Sequence, residues 1–392
     1  MIMPTTVASV ELQVAQVSDK SRWTFVRVTT SDGLVGVGEA TLGGREEQIR
    51  TELAPMADAL IGALADARLH QRLPDARELP QAAARAALDQ ALWDLLARVR
   101  GLPCAHLLGG MHRHEIELYA NINRRTTDRS VAGFVACARE AVGAGYGSLK
   151  IAPFDEVSIT GSTADRITAA RTGIDRVHAV RHAIGPDVSL MVDCHWRFDE
   201  ASAADVMSAL APAALYWVEC PVPESETTLD AIVRLRARAN ALGMRLAGNE
   251  LGVGLRGFLP YLKAGAYDVM MPDVKYVGSL LEVVQMAEQF QAFGAELSPH
   301  NPNGPVCHAA SLQVCAALPR KARLESQYRE TDWFDALVTP ALPQSSRGQV
   351  TLTDAPGLGV SLVPIPTAIL HRRWLWDARG EHGGERAVVQ EA

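Results

Sequence analysis

A chain of 392 residues, 48% hydrophobic and 21% charged, holds ample apolar material for a large core, and its length fits two domains or one large barrel with additions. Its formal net charge of −7 comes without any basic block, which argues against nucleic acid or an anionic membrane as partner; a small anionic substrate then needs local positive charge. No run reaches the roughly 18 uninterrupted apolar residues of a membrane span, and the opening MIMPTTVASVELQV lacks the basic start and apolar block of a secretory signal, so a cytoplasmic protein is expected.

Residues 1–115 read as an α+β unit. ASVELQVAQV and RWTFVRVTTSDGLVGVGEAT are rich in β-branched residues and alternate, with Ser31-Asp32-Gly33 as a turn, which predicts a small antiparallel sheet. The stretch LPQAAARAALDQALWDLLARVRG has apolar residues at three- and four-residue spacing and stops at Gly101 and Pro103, a helix with its end marked. Six cysteines (Cys104, Cys137, Cys194, Cys220, Cys307, Cys315) have no short-spaced pair, so they form neither a disulfide framework nor a thiolate metal site and are expected to be buried thiols.

Over 116–355 the rhythm changes to eight short apolar strands, IELYANI, SLKIAPF, SLMVDCH, LYWVECP, RLAGNEL, DVMMPDV, AELSPH and ARLES, separated by amphipathic stretches. Such alternation implies parallel strands with helical crossovers, and eight units favour a closed (β/α)-barrel. No G-x-G-x-x-G opens a helix after a strand, which counts against a dinucleotide fold.

In a barrel the chemistry sits at the C-terminal strand ends. There the sequence offers Lys150 on the second strand, Asp193 and His195 on the third, Glu219 on the fourth, Glu250 on the fifth, Asp273 on the sixth, His300 on the seventh and Glu325 on the eighth. Any one carboxylate at a strand end has a bland reading, facing solvent or capping the next helix. Asp193, Glu219 and Glu250 together converge on one barrel mouth, where three like charges need a cation. Three carboxylate oxygens with open positions suit a hard divalent ion, Mg²⁺ before Mn²⁺, rather than zinc.

These strand ends, with MPDVKYVGS and SPHNPNGPV, resemble the enolase superfamily, and the Asp273–His300 pair resembles its mandelate racemase subgroup. The likeness extends through ALDQALWDLLARVRGLPCAHLLGG to APGLGVSL. It implies a capping α+β domain (1–115) whose loops close over a modified TIM barrel (116–355). A C-terminal segment (356–392) returns to the cap and ends in a flexible charged tail. It also implies one Mg²⁺ per subunit on Asp193, Glu219 and Glu250, a homo-oligomer, and abstraction of the proton α to a substrate carboxylate, the metal stabilising the enediolate.

His300 is the expected base: imidazole titrates near neutrality, and a carboxylate at Asp273 fixes its tautomer with an attraction of order 4 kcal/mol at about 4 Å. Lys150 is expected either to contact the substrate or to act as a lid over the carboxylates. Where the family usually carries a second base two residues on, this chain has Ala152. One-face chemistry follows, namely loss of a β-hydroxyl from an acid sugar (aldonate or aldarate) to give a 2-keto-3-deoxy acid. His195, at a position where some acid-sugar dehydratases of the family have histidine, is either the general acid for the leaving hydroxyl or a polar group bonding a metal water. Lys275 points inward by alternation and Glu325 resembles the family's electrophilic glutamate. Arg45, in a glycine-flanked loop, and Arg124, in NINRR, are candidates for a distal carboxylate or hydroxyls. Cycloisomerisation of a sugar-acid lactone, racemisation or epimerisation of a hydroxy acid, and non-catalytic binding of an acid sugar are the alternatives.

Overall fold

The structure is a computed structural model that describes residues 5–383. The N-terminal sheet forms from β1 (Val7–Gln16), β2 (Arg22–Thr30) and β3 (Val35–Glu39), antiparallel throughout, with Val10 opposite Val28 and Leu12 opposite Val26. These side chains pack under α1 (Glu46–Leu60) and α2 (Leu79–Arg100), and α2 ends where Gly101 turns left-handed at φ 65°. Two glycines set how close sheet and helix lie. A Cβ on Gly36 or Gly38 would stand 2.1 or 1.9 Å from the carbonyl oxygens of Ala91 and Ala87, so the GVG of β3 and the alanines of α2 require each other.

A short helix, α3 (Cys104–Leu107), leads to the barrel. Its units run β4 (Glu115–Asn121), α4 (Val131–Gly143), β5 (Ser148–Ile151), α5 (Thr163–Ile184), β6 (Ser189–Asp193), α6 (Glu200–Leu210), β7 (Trp217–Glu219) and α7 (Leu229–Ala241). They continue with β8 (Arg245–Gly248), α8 (Gly254–Ala264), β9 (Val269–Met270), α9 (Leu280–Ala292), β10 (Glu296–Leu297), α10 (Pro305–Ala317) and β11 (Arg323–Gln327). The eight strands are parallel and adjacent in the order β11-β4-β5-β6-β7-β8-β9-β10. Between β10 and β11 the described residues form no strand ladder. Side chains bridge that seam: Ser298 Oγ donates to Arg323 O at 2.8 Å and Asn301 Nδ2 to Glu325 O at 2.9 Å.

Alternate residues fill the barrel as a packed cluster of Tyr119, Met191, Trp217, Ala247, Val269 and Met271, with Tyr119 edge-on to Trp217 at 5.4 Å. Helix starts are written locally: Ser162 with Asp165 and Asp199 with Ser202 form capping boxes on α5 and α6, each cap contributing about 1 kcal/mol. The six cysteines are free and buried.

After α11 (Trp333–Ala336), β12 (Val338–Thr339) pairs with β14 (Ser361–Leu362), while β13 (Gln349–Thr351) lies antiparallel on the start of β4. The chain then returns to the cap. β15 (Leu370–Asp377) pairs with β1, placing Trp376 opposite Val10, and β16 (Gly380–Gly383) adds the outer strand. The C-terminal segment is thus part of the cap sheet through Gly383; the flexible charged tail expected at its end falls, over residues 384–392, outside the described residues. Among the described residues no helix is long and apolar enough to cross a membrane.

Cap and barrel also meet through one carboxylate. Glu39, the last residue of β3, accepts from Gly304 N at 2.7 Å and Cys307 N at 2.9 Å at the N-terminus of α10, and from Thr41 Oγ1 at 2.7 Å. It is fully buried, and burial pushes its carboxyl up against the pull of those donors.

Candidate active site

Several catalytic candidates lie beyond the strands rather than on them. Asp193 and Glu219 end β6 and β7, but β8 stops at Gly248, β9 at Met270 and β10 at Leu297, so Glu250, Asp273 and His300 stand on the following loops. Proline explains part of this: Pro272 and Pro299 immediately precede Asp273 and His300 and cannot donate to a ladder. Left-handed backbone explains another part, with φ of 47° at His195, 56° at Trp196, 44° at Cys220 and 65° at Asn249, each a cost of about 1–2 kcal/mol for a residue with a Cβ. Cross-strand bonds past the strand ends hold these turns, including Cys220 N to Ala247 O at 3.1 Å, Trp196 N to Cys220 O at 2.7 Å and His300 N to Pro272 O at 3.2 Å.

The result is a buried acidic triad. Asp193, Glu219 and Glu250 each offer an oxygen within 4.8 Å of the others. Glu219 takes Lys150 Nζ on one oxygen at 2.6 Å and Trp217 Nε1 on the other at 2.9 Å, while Asp193 receives His195 N and Nε2, both at 2.8 Å. Burial pushes the Glu219 carboxyl up to about 8; Lys150 opposes this, and the charges on Asp193, Glu250 and Glu325 add to it. Asp193 goes the other way, to about 2, because the charge and hydrogen bonds of His195, with Lys150, outweigh its burial. Without a cation the cluster thus favours a proton on Glu219. Three convergent oxygens with no thiolate or imidazole among them are the donor set of a hard divalent ion, and the triad can hold one.

Lys150 Nζ also reaches Glu325 Oε1 at 2.9 Å, and these two carboxylates outweigh its burial and raise its pKa well above the usual lysine range. Two of its three N–H donors are committed, leaving one for the cavity it borders. The substrate-contact and lid readings of Lys150 are thus compatible. Glu325, paired with Lys150, is fully buried and accepts from Asn121 Nδ2 at 2.6 Å and Asn301 N at 2.9 Å. Burial alone would raise its pKa, but Lys150 and His300 hold it below the usual range, so it is an ionised acceptor.

His300 Nδ1 is 2.9 Å from Asp273 Oδ2, and Nε2 is 3.5 Å from Glu250 Oε1. Because an ionised carboxylate only accepts, the Asp273 contact places a proton on Nδ1 and leaves Nε2 toward the cavity. Burial works against a charged imidazole, yet Glu250, Asp273 and Glu325 push His300 up to about 9. Asp273 stays ionised although buried, because Lys275 Nζ (3.3 Å), Lys275 N (2.8 Å), His300 and Asn303 Nδ2 (3.3 Å) all donate to it. Lys275 therefore lies inside the barrel mouth.

A cavity of about 280 Å³ opens over these groups, walled by Thr41 and Leu42 of the cap and by Asn121, Arg124, Lys275, His300 and Gln327 of the barrel. Arg124 reaches it with its guanidinium paired to Glu330 Oε2 at 2.9 Å. Arg45 does not: it is the exposed residue at the start of α1 and donates to Gln48 at 2.9 Å, away from the wall. Ala152 is buried outside the wall, its carbonyl accepting from Arg129 Nη2 at 2.6 Å. Sequence reasoning passes over Asn121, Trp217, Asn301, Asn303 and Gln327. Only Asn301 and Asn303 carry a signal, their place in SPHNPNG beside His300.

Comparison with known proteins agrees with this geometry. Residues 133–364 match the family model described as enolase C-terminal domain-like, and residues 2–109 that of the mandelate racemase/muconate lactonizing enzyme N-terminal domain. The chain is similar to a D-gluconate dehydratase of Thermoproteus tenax, 32% identical over 87% of this chain and 69% of that one. It is also similar to a D-xylonate dehydratase of Haloferax volcanii, 28% identical over 90% and 86%. Among solved structures, the 3,6-anhydro-D-galactonate cycloisomerase of Zobellia galactanivorans superposes with a TM-score of 0.78 at 25% identity, covering 91% of this chain and 97% of that one. With both of its domains matched and the acidic triad in place, this chain belongs to the mandelate racemase/muconate lactonizing enzyme family, in the mandelate racemase subgroup of the enolase superfamily.

Proposed function

We propose that this protein is a Mg²⁺-dependent acid-sugar dehydratase, a hydro-lyase that converts an aldonate or aldarate to a 2-keto-3-deoxy acid, working in the cytoplasm as a homo-oligomer. One observation carries the reading: His300, backed by Asp273, borders the cavity next to the carboxylate triad, while the two lysines that also border it are held in ion pairs. Similarity to dehydratases acting on D-gluconate and D-xylonate supports the substrate class.

His300 Nε2 takes the proton α to the substrate carboxylate. A divalent ion on Asp193, Glu219 and Glu250 supplies, when bound, fixed positive charge against that carboxylate. Lys150 adds its remaining N–H from the other side, and because its charge is fixed before the reaction it favours the more negative transition state over the ground state. Lys150 and Lys275 are both held protonated, burial being outweighed by their carboxylate partners, so neither is free to accept a proton on the opposite face. The C–O bond to the β-hydroxyl then breaks. His195, raised to about 8 chiefly by Asp193 in the metal-free protein, is the group that, when protonated, has a proton to give to the leaving oxygen. The enol that remains tautomerises to the 2-keto acid.

Screening aldonates, aldarates and their lactones tests the reading: a product lighter than its substrate by one water, trapped as a 2-keto acid, is the expected outcome. An isomer of unchanged mass from a lactone would instead favour cycloisomerisation, the reading that similarity to the Zobellia enzyme supports. The single base makes a further prediction. In D₂O a non-eliminating analogue should gain deuterium at the α-carbon with retained configuration, and His195→Asn should keep this exchange while losing elimination. Racemisation by the unmodified protein would require a second base and defeat the one-face mechanism.

A further inference from the structure

Gln327, the last residue of β11, has a buried amide whose Oε1 and Nε2 both lack a hydrogen-bond partner. It is only 6% exposed. It borders both the active-site cavity and a second cavity of about 950 Å³ beneath residues 328–335. Two unmet buried polar atoms cost about 1–3 kcal/mol each, which an amide at a cavity wall recovers when a ligand group reaches it. By β alternation Gln327 falls on the same side of the strand as Glu325. An amide presents one acceptor and one donor group, the complement of hydroxyls, whereas a carboxylate only accepts.

The charges around the cavity point the same way. Its lysines and arginine are each already matched inside the protein: Lys150 by Glu219 and Glu325, Lys275 by Asp273, Arg124 by Glu330. Glu330 is itself nearly buried and accepts from Ser21 Oγ of the cap as well as from Arg124. A second carboxylate at the far end of a substrate would meet these cations with their charge already matched by Glu219, Glu325, Asp273 and Glu330, and would find no cation among them without a carboxylate partner.

Building on the dehydratase reading, we propose that the cavity selects monoacids with a neutral polyol end, aldonates over aldarates, and that Gln327 is the residue that binds a distal hydroxyl. The test uses His300→Asn protein, whose turnover is slowed about a thousandfold, and rapid calorimetric binding of six-carbon aldonates and the aldarates of matching configuration. The best aldonate should bind at least about tenfold more tightly than its aldarate, a difference the size of one good hydrogen bond or more. Gln327→Met, close to glutamine in volume, should weaken that aldonate about tenfold while leaving D-glycerate unchanged. Gln327→Glu, which removes the donor and adds charge, should weaken it at least as much. Glu330→Gln, which frees Arg124, should narrow or reverse the preference against the aldarate. Equal binding of aldonate and aldarate, or equal weakening of long and short acids by both Gln327 variants, would overturn the proposal. Failure of the underlying reading looks different: it is the absence of α-deuterium exchange by the unmodified protein with any acid, whatever the binding preferences.

Discussion

Replacing His300 with asparagine should lower kcat for the acid-sugar substrate by about a thousandfold, within the range that a positioned general base contributes. The variant keeps a planar polar group but nothing that accepts a proton near pH 7. Binding should change far less than kcat, because the acidic triad, Lys150 and Gln327 are untouched. Near-normal turnover by His300→Asn would transfer the base role to another group and remove the central step of the mechanism.

The pH dependence follows from the same geometry. His300 works as a base only when neutral, so kcat/KM should rise with pH along an acid limb set by its pKa. Glu250, Asp273 and Glu325 hold that pKa at about 9 in the metal-free protein. A cation on the triad cancels part of the Glu250 attraction, so NMR titration of His300 should show a lower pKa with metal than without it. Asp273→Asn removes a charge and an ionic acceptor that raise the value, and should move the limb to lower pH while reducing the plateau. The stability sign is opposite. A histidine whose folded pKa lies above its ordinary 6.5 stabilises the fold most below that pH, and metal-free protein should lose this contribution between pH 6.5 and about 9.

How far the sequence carried this picture depends on which interactions decide each feature. The cap sheet and α2 are legible because their patterns are local: alternation in β1 and β2, and an apolar spacing closed by Gly101. The eight-unit rhythm is legible for the same reason, since each apolar strand must bury itself before its crossover helix begins. The identities of the site residues could be collected, but not their settings. Glu250, Asp273 and His300 lie past their strands because of left-handed turns and prolines held by neighbouring strands, and such turns have no signature in one segment read alone. Arg45 illustrates the limit: a glycine-flanked arginine resembles a loop contact, but α1 starts at the next residue and turns it toward Gln48. Asn121 bonds Glu325 across 204 residues of sequence, and Trp217 is a packed barrel residue whose indole N–H also supports Glu219. Neutral amides and an indole show no chemistry until their partners are in place.

Chelation should abolish turnover and Mg²⁺ should restore it, and Glu219→Gln should separate the metal's role from that of the fold. In the metal-free protein Glu219 is where the cluster's repulsion is relieved by a proton, so glutamine, isosteric and uncharged, mimics that protonated state and keeps an oxygen for Lys150. Its NH₂ then faces the Trp217 indole N–H, a donor against a donor, which offsets part of the relief. The melting temperature of metal-free Glu219→Gln should accordingly lie within a few degrees of the metal-free parent, since the two terms oppose each other. With metal the proteins should diverge. A parent saturated at roughly 100 times Kd gains about 2.7 kcal/mol from binding to the folded state, seen as a rise in melting temperature, and should release protons as the ion displaces the one on Glu219. Glu219→Gln should lose most of that rise and nearly all turnover, because the remaining carboxylates Asp193 and Glu250 carry too little charge to hold the ion against water. Full activity in excess chelator, or an undiminished metal-induced rise in the variant, would mean that the triad is a structural ion-pair network neutralised by Lys150 and His195 alone. Such a network has no reason to keep three carboxylates within 4.8 Å of one another.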